Sequence, residues 1–447
     1  MPKIDECRMK SAEWSGAAGL WAVLGAATLT LVAWTPAFPQ QDVTIPVWTG
    51  VSAYEMALPE LRVSAGDATL YEAAKTIHTT LWDDLAFSGY FNLIPAEHYK
   101  FIPALDEKKI KFKDWASLQA DYLVVGATTR AGDRLTFTAS LHDVKTQSYV
   151  LGKSYGGEMK VARQIGHQFA NEILKRVIGL DKNLFTSKIA FISTRDGNRE
   201  LYVMDYDGNS QTRITFNTVP DMLPAWSPDG RKILFTSYRN NNPDLFSYAI
   251  YEGVLAPIST KGLNTSAAFS PDGTKIAFSS SRDGNSEIYI ANPDGTGLRR
   301  ITSTPAIDTA PSWAPNGRLL AFTSDRGGPP QIYIMDAEGT EARRLMPQSG
   351  SYNDSAAWSP DGEYVLYVSR EGGEFNIVKV GLTKQTSLRL TAGQGMNENP
   401  SWSPDGMHII FASNRSGSYQ VYCMDPSGGN VRQLTTQGNN HTPRWSR

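Results

Sequence analysis

The sequence predicts a mainly β protein, a six-bladed β-propeller closed by its C-terminal strand and preceded by a small N-terminal α/β domain. Three observations predict it. A phrase of the form aromatic-Ser-Pro-Asp-Gly recurs through the second half of the 447-residue chain, each copy is followed by further strand-like runs, and the first and last units of the repeat are complementary fragments.

The phrase stands at Trp226-Ser227-Pro228-Asp229-Gly230, Phe269-Ser270-Pro271-Asp272-Gly273, Trp313-Ala314-Pro315-Asn316-Gly317, Trp358-Ser359-Pro360-Asp361-Gly362 and Trp402-Ser403-Pro404-Asp405-Gly406, with Trp445-Ser446 as a partial sixth copy. Its aromatic positions advance by 43, 44, 45, 44 and 43 residues, a regularity chance does not produce. Proline presets φ and the following Asp-Gly tolerates positive φ, so each phrase is a tight turn between two strands. Runs such as Ile276-Ala277-Phe278-Ser279, Glu287-Ile288-Tyr289-Ile290 and Arg300-Ile301-Thr302 supply three more strands per unit. Four short strands in about 44 residues is the size of a propeller blade.

The repetitive half begins abruptly at Lys188-Ile189-Ala190-Phe191-Ile192-Ser193, with strands two to four and no Trp strand, whereas the last copy is a Trp strand alone. Residues 441–446 are therefore expected beside 189–193, completing the sixth blade and removing the open sheet edges that invite aggregation. One recurrent aromatic is Phe269 and all share one strand position, which assigns them to packing between blades rather than to a ligand platform. Asp207-Gly208 and Asp294-Gly295 lack the oxygen series and distal Glu of a calcium loop and read as hairpin turns.

In chain order, residues 1–37 read as an export signal. Lys3, Arg8 and Lys10 precede an apolar run from Gly16 to Trp34, then Thr35-Pro36-Ala37 and polar Gln40-Gln41-Asp42. Asp5, Glu6 and Glu13 weaken its basic start, and the run approaches bilayer length, so a retained anchor is the alternative to cleavage. Residues 38–50 form an extended segment, 51–180 the α/β domain, 181–187 a linker around Asp181-Lys182-Asn183, and 188–447 the propeller. Within the α/β domain, Leu70, Ile77, Leu81 and Leu85 share a helical face after the N-cap candidate Asp67, and Ile165, Phe169, Ile173 and Val177 share another. Tyr122-Leu123-Val124-Val125, Leu135-Thr136-Phe137-Thr138 and Tyr149-Val150-Leu151 are strand-like, so a small sheet carries the helices.

Five residues before each aromatic stands Asp221, Asn264, Asp308, Asn353, Asn397 and Asn440. Ring symmetry places them in equivalent loops around one mouth of the central channel, with two roles open: contact with a partner, or capping of the local turn. The residues that follow, Met222, Thr265, Thr309, Asp354, Glu398 and His441, vary, and variation at equivalent positions is where a symmetric scaffold acquires a specific surface. Asp308, Asp354 and Glu398 make the rim acidic enough to hold calcium weakly; no other metal is expected. Ser-x-Arg turns carry Arg195, Arg239, Arg282, Arg326 and Arg415, with Arg370 one place earlier, and ion pairs between loops are expected of them ahead of anion binding.

A net charge of −2 and a pI of about 6.3 provide no basic field for nucleic acid. Only Cys7 and Cys423 occur, and Cys423, in Val421-Tyr422-Cys423-Met424, reads as a buried inert thiol. The six histidines show no His-Glu-x-x-His spacing. A peptidase of the prolyl oligopeptidase type would need an α/β-hydrolase domain with a Gly-x-Ser-x-Gly elbow and triad partners, and none is expected. A sialidase-like propeller would repeat Ser-x-Asp-x-Gly-x-x-Trp, whereas Asp and Gly adjoin here and Trp precedes them.

Ser88-Gly89-Tyr90-Phe91-Asn92, Trp115-Ala116-Ser117-Leu118, Val124-Val125-Gly126, Gly166-His167 with Glu172, and the repeats together resemble the TolB family across nearly all of the chain after the leader. The repeats alone are shared with peptidase propellers; their combination with this N-terminal domain is specific. The resemblance implies a periplasmic, non-catalytic, monomeric interaction scaffold of the Tol-Pal system, without cofactor, reaching membranes only through partners and supporting outer-membrane integrity and constriction at division. It further implies a Pal-like lipoprotein received at the channel mouth by Asp221, Asn264, Asp308, Thr309, Asn353, Asp354, Asn397, Glu398, Asn440 and His441. A TolA-like inner-membrane protein would dock on Asp42, Val43, Thr44 and Ile45, a segment able to add a strand to a partner sheet. Where the family places a partner-contacting His in the second Trp-type repeat, this chain has Leu263.

Overall fold

The computed structural model describes residues 53–64, 67–102, 109–346 and 352–446. The expected leader, the segment 38–50 with Asp42, Val43, Thr44 and Ile45, and Cys7 lie outside the described residues.

Helix α1 (Ala68–Phe87) begins at its N-cap, where the Asp67 carboxylate accepts from Leu70 N at 3.0 Å. Its stripe of Leu70, Ile77, Leu81 and Leu85 is fully buried. Helix α2 (Phe112–Ala116) is a single turn or slightly more. Helix α3 (Ala162–Ile178) buries Ile165, Phe169, Ile173 and Val177 and stops at Gly179, whose φ of 74° is the left-handed conformation that ends helices without Cβ strain. A Cβ on Gly166 would lie 2.9 Å from Thr80 Cβ, so glycine there is what lets α1 and α3 approach.

These helices cover a mixed sheet in the order Phe91–Leu93, Tyr54–Ala57, Tyr122–Ala131, Arg134–Asp143, Ser148–Glu158, parallel across the first three strands and antiparallel after that. Arg62–Val63 adds a short parallel pairing to Tyr122–Ala131. Packing separates the two faces: Val124, Leu135, Phe137 and Tyr155 meet α1 and α3, while Leu123 and Val125 meet Trp115 of α2. The three hairpin strands follow the sequence expectation, running several residues longer. Tyr54–Ala57 and Phe91–Leu93 have only 4 and 3 residues, too few for a period-two pattern to show.

The segment after α3 is less of a linker than expected. Asp181–Asn183 is exposed, but Leu184 and Phe185, in the turn Leu184–Thr186, are buried and share one apolar core with α3, Tyr206 and Trp445. Around this core, Asp84 Oδ1 accepts from the Tyr206 hydroxyl at 2.5 Å, and Asp84 Oδ2 lies 2.7 Å from His167 Nδ1. Arg163 pairs with Asp205 at 2.6 Å and also with Asp207. Phe87 stacks on His408 with centroids 3.8 Å apart. A half-apolar, half-ionic contact of this kind fixes the N-terminal domain on the propeller end that carries the Pro-Asp-Gly turns.

Six four-stranded antiparallel sheets follow among the described residues. Their inner strands are Asp221–Trp226, Asn264–Phe269, Asp308–Trp313, Asn353–Trp358, Asn397–Trp402 and Asn440–Trp445. Each touches the next, and Asn440–Trp445 touches both Asn397–Trp402 and Asp221–Trp226, so the ring closes. Closure is by the expected composite blade: Asn440–Trp445 pairs antiparallel with Lys188–Ser193, in the register Asn440↔Ser193 and Trp445↔Ile189.

The repeat phrase performs its turn chemistry by side chain as well as by backbone. Ser227 Oγ donates to Asp229 Oδ1 and accepts from Lys232 N at 2.8 Å, while Gly230 takes φ of 68°. The tryptophans tie blades together, as expected: Nε1 of Trp226 donates to Arg444 O, of Trp358 to Ser312 O and of Trp402 to Ala357 O, each a carbonyl of an adjacent inner strand. The Asp207-Gly208 turn closes with Gly208 N on Asp205 O, and its glycine lies where a Cβ would meet Leu434 O at 2.6 Å. It is therefore a hairpin packed on the neighbouring blade.

One sixfold feature carried no signal in the sequence. Every inner strand bulges one residue after the rim position, and the bulged residues Leu223, Ser266, Ala310, Ser355, Asn399 and Thr442 take φ of 48 to 59° without being glycine. Such a conformation costs about 1–2 kcal/mol per residue. Repetition around the ring shows that the packed propeller imposes it.

Candidate functional site

The Asp/Asn ring sits at the channel end remote from the N-terminal domain, but its side chains do not form the rim. Asp221, Asn264, Asp308, Asn397 and Asn440 are 0% exposed and Asn353 is 1%. Each is held by hydrogen bonds within its own blade or to the preceding blade, so its buried side chain serves the local-capping role rather than lining the opening. The Ser-x-Arg arginines hold them: Arg326 donates to Asp308 at 2.8 Å, Arg415 to Asn397 at 2.8 Å and Arg282 to Asn264 at 3.3 Å. Side chains at the blade junctions complete the set, with Asn217 donating to Asp221 at 2.8 Å, and Asn353 and Asn440 donating at 2.6 Å to Gln331 and Gln420, which begin strands of the preceding blade. The arginines thus clamp strands within a blade, and Arg282 also donates to Ser259 of the preceding blade. Burial holds the Asp221 and Asp308 carboxyls above their usual range despite these partners.

The rim is made by the next residue of each strand. Met222, Thr265, Thr309, Asp354, Glu398 and His441 are all half-buried and surround the opening. Asp354 accepts from Thr323 Oγ1 at 2.7 Å and from the Tyr352 hydroxyl at 3.2 Å. Burial, together with the Asp354 charge, raises the Glu398 carboxyl, against a hydrogen bond from Tyr419. The His441 ring packs on Tyr419 with centroids 4.5 Å apart, and burial lowers its basicity. Arg199 Nη1 approaches Met222 Sδ at 3.6 Å.

Across the opening the character changes. Phe216, Leu263 and Ile307 are 59%, 50% and 52% exposed, in the loops that enter three successive inner strands, Asp221–Trp226, Asn264–Phe269 and Asp308–Trp313. The mouth therefore has an apolar arc facing an acidic and aromatic arc of Tyr352, Asp354, Glu398, Tyr419 and His441. Exposed large apolar residues clustered beside a polar rim mark an interaction surface. Phe216 and Ile307 escaped sequence reasoning because nothing in a loop's periodicity distinguishes an exposed apolar residue from a buried one.

The calcium expectation is corrected. Asp308 is buried and engaged by Arg326, Asp354 by two hydroxyl donors, and no group of three or more His, Cys, Asp or Glu at metal-holding spacing occurs among the described residues. A second correction concerns the hydrolase elbow, whose spelling does occur, as Gly152-Lys153-Ser154-Tyr155-Gly156. It lies within the strand Ser148–Glu158 instead of at a strand-to-helix turn, and Ser154 Oγ shares its hydrogen bond with Thr138 Oγ1 at 3.3 Å rather than with a histidine. Burial pushes the Cys423 thiol up to about 12, so it is no thiolate nucleophile.

Comparison with known proteins bears on the whole architecture. The family model of the TolB amino-terminal domain matches residues 44–150, and that of the TolB beta propeller domain matches 175–388 and 379–447. The "Tol-Pal system protein TolB" of Desulfosudis oleivorans is 35% identical over 250 residues, which are 55% of this chain and 57% of that protein. A "Protein TolB homolog" of Chlorobaculum tepidum is 34% identical over 241 residues, 54% of this chain and 55% of its own. The matched regions thus span little more than half of these relatives' lengths. The crystal structure of TolB from Acinetobacter baumannii superposes with a TM-score of 0.74 at 28% identity, covering 89% of this chain and 97% of that one. On the domain pair, the sixfold closure and these matches, the chain belongs to the TolB family.

Proposed function

We propose that the chain is a non-catalytic periplasmic scaffold of the Tol-Pal envelope system, whose propeller mouth receives a Pal-like lipoprotein and whose segment 38–50 docks on a TolA-like inner-membrane protein. The observation that carries the reading is the two-sided rim: Phe216, Leu263 and Ile307 exposed opposite Asp354 and Glu398, on a rigid ring remote from the N-terminal domain. A partner seated there buries apolar area against the first arc and satisfies the second with hydrogen-bond donors, the composition of a specific protein interface. Two relatives carrying Tol-Pal names support the choice of system.

Among the sequence-derived contacts, Thr309, Asp354, Glu398 and His441 are accessible enough to serve, with Leu263 supplying an apolar anchor in its loop. The buried Asp/Asn ring then acts by fixing rim geometry. Asp42, Val43, Thr44 and Ile45 keep their proposed role toward the inner-membrane partner. No helix among the described residues is long and apolar enough to cross a membrane. The role in outer-membrane integrity and division follows from holding the two partners, with no chemistry required of the propeller.

The test is a pull-down from envelope extract with the mature protein, with and without residues 38–50, and with Leu263→Asp/Ile307→Asp in the rim. Recovery of a lipoprotein that depends on the rim pair and not on the segment supports the reading. Recovery indifferent to the rim pair places the partner elsewhere.

A further inference from the structure

Among the residues that each inner strand gives to the channel wall is the one four places after the buried Asp or Asn: Ala225, Ala268, Ser312, Ala357, Ser401 and Arg444. Five are small and one is an arginine. The room left by the five is a cavity of about 640 Å³, within the size range of small-molecule sites. Its wall is otherwise mainly proline, alanine, serine and tryptophan, and its far end is crossed by Asp181, Lys182 and Asn183. The lining stops at the bulged residues such as Leu223 and Asn399, and none of the six rim residues contributes. The cavity is therefore a cup that opens on the opposite end from the proposed partner mouth.

Arg444 is pinned at one nitrogen only. Its Nη1 donates to Asn399 O at 3.3 Å and to Pro443 O at 3.0 Å. Nε and Nη2, the parallel edge that forms bidentate bonds to oxyanions, have no hydrogen-bond or carboxylate partner among the described residues. Asp354 is the acid whose charge reaches the guanidinium, but its oxygens are occupied by Thr323, Tyr352 and Ser355 N. Burial pushes Arg444 down to about 10, which leaves it charged at neutral pH. A fixed cation with an unused fork, in a cavity where tryptophan, proline and alanine surfaces alternate with polar groups, is complementary to a planar oxyanion on a small body.

We propose that the propeller cup is a binding site for a small carboxylate or phosphate ligand, held by the Nε/Nη2 edge of Arg444. The site is distinct from the proposed partner mouth, since none of the six rim residues lines the cup, although the charge of Asp354 on the rim reaches Arg444. It also explains why a single large side chain is kept at a position where the other five blades carry Ala or Ser.

The full chain provides its own reporter, because Trp226, Trp313, Trp358, Trp402 and Trp445 line the cup. Tryptophan fluorescence titrated with benzoate, phenyl phosphate and the neutral isostere benzamide is expected to change saturably with at least one anion, and benzamide to bind at least about tenfold more weakly. Benzoate alone responding assigns the ligand as a carboxylate, and phenyl phosphate alone as a phosphate. Arg444→Gln should lose the anion response, and Arg444→Lys should retain part of it through charge without the fork. Absence of saturable binding by either anion to the unmodified chain, equal binding of benzamide, or unchanged anion binding by Arg444→Gln overturns the proposal. The anion-against-benzamide comparison on the unmodified chain decides the matter even if a variant fails to fold.

Discussion

Arg326 donates from Nη2 to Asp308 Oδ2 at 2.8 Å while its Nε donates to Ser324 Oγ at 2.8 Å, so a single guanidinium ties the end of one strand to the start of its neighbour. In the same geometry Arg415 meets Asn397 at 2.8 Å and Arg282 meets Asn264 at 3.3 Å, where the acceptor is a neutral amide. The clamp needs an oxygen in place more than it needs a negative charge.

Asp308→Asn should accordingly keep the fold. Burial holds the Asp308 carboxyl above its usual range, so the unfolded chain loses that proton first, near pH 4. The associated stability is full below that pH and is lost as pH rises through the folded value. The Asn variant is expected to gain on the wild type above about pH 4 and to match or exceed it by up to about 1 kcal/mol at pH 7, whereas Asp308→Leu, lacking an acceptor, costs about 1–3 kcal/mol. Urea unfolding at pH 4 and 7 checks this. An Asn variant as weak as the Leu variant would show that the charge matters most.

Closure of the ring predicts long-range damage from a short deletion. Trp445 is buried, pairs with Ile189 and donates from Nε1 to Ser187 Oγ at 2.7 Å, bridging 258 positions of chain. Trp445→Ala should cost about 3–5 kcal/mol. Removing residues 441–447 takes all of the inner strand but Asn440 and should lower the thermal midpoint by roughly 5 °C or more. A truncated protein that melts like the intact one would falsify closure by this strand.

Acid sensitivity should trace in part to His408. The ring is buried, stacked on Phe87 and close to the Arg432 charge, which together bring its basicity down to about 3. In the unfolded chain it binds a proton near pH 6.5. Its contribution is therefore present above about pH 6.5 and lost on acidification toward 3, at about 1.4 kcal/mol per pH unit. His408→Gln should flatten the stability profile between pH 6 and 4 relative to the wild type. Parallel profiles for the two proteins would remove His408 as a source.

At the mouth, Leu263→Asp and Ile307→Asp replace exposed side chains and should change stability by no more than about 0.5 kcal/mol. Affinity for a Pal-like lipoprotein's soluble domain, measured calorimetrically, should fall about tenfold or more, as expected for apolar anchors at an interface centre. Unaltered affinity with both substitutions combined would move the interface off this arc.

Local chemistry repeated along the chain made most of the fold legible. Pro-Asp-Gly marks its turn wherever it stands, the Trp spacing counts blades, and the run at Lys188 lacks the Trp strand that the run ending at Trp445 supplies. The stripes of α1 and α3 and the cap at Asp67 were equally readable, since helical period and N-cap chemistry act within a few residues. Three- and four-residue strands such as Phe91–Leu93 and Tyr54–Ala57 left no pattern, because they are specified by the neighbours they pair with.

The site divides along the same line. The sequence by itself determined which residues occupy equivalent places around the ring, because symmetry is a property of spacing. Tertiary structure decided which of them face solvent. Rotation between adjacent positions of a strand, sharpened by the bulges at Leu223 and its five counterparts, buries Asp308 and leaves Thr309 on the rim. It likewise places Arg444, held through Nη1 alone, in a cup that five small side chains leave open, a relation between distant blades that no local pattern encodes.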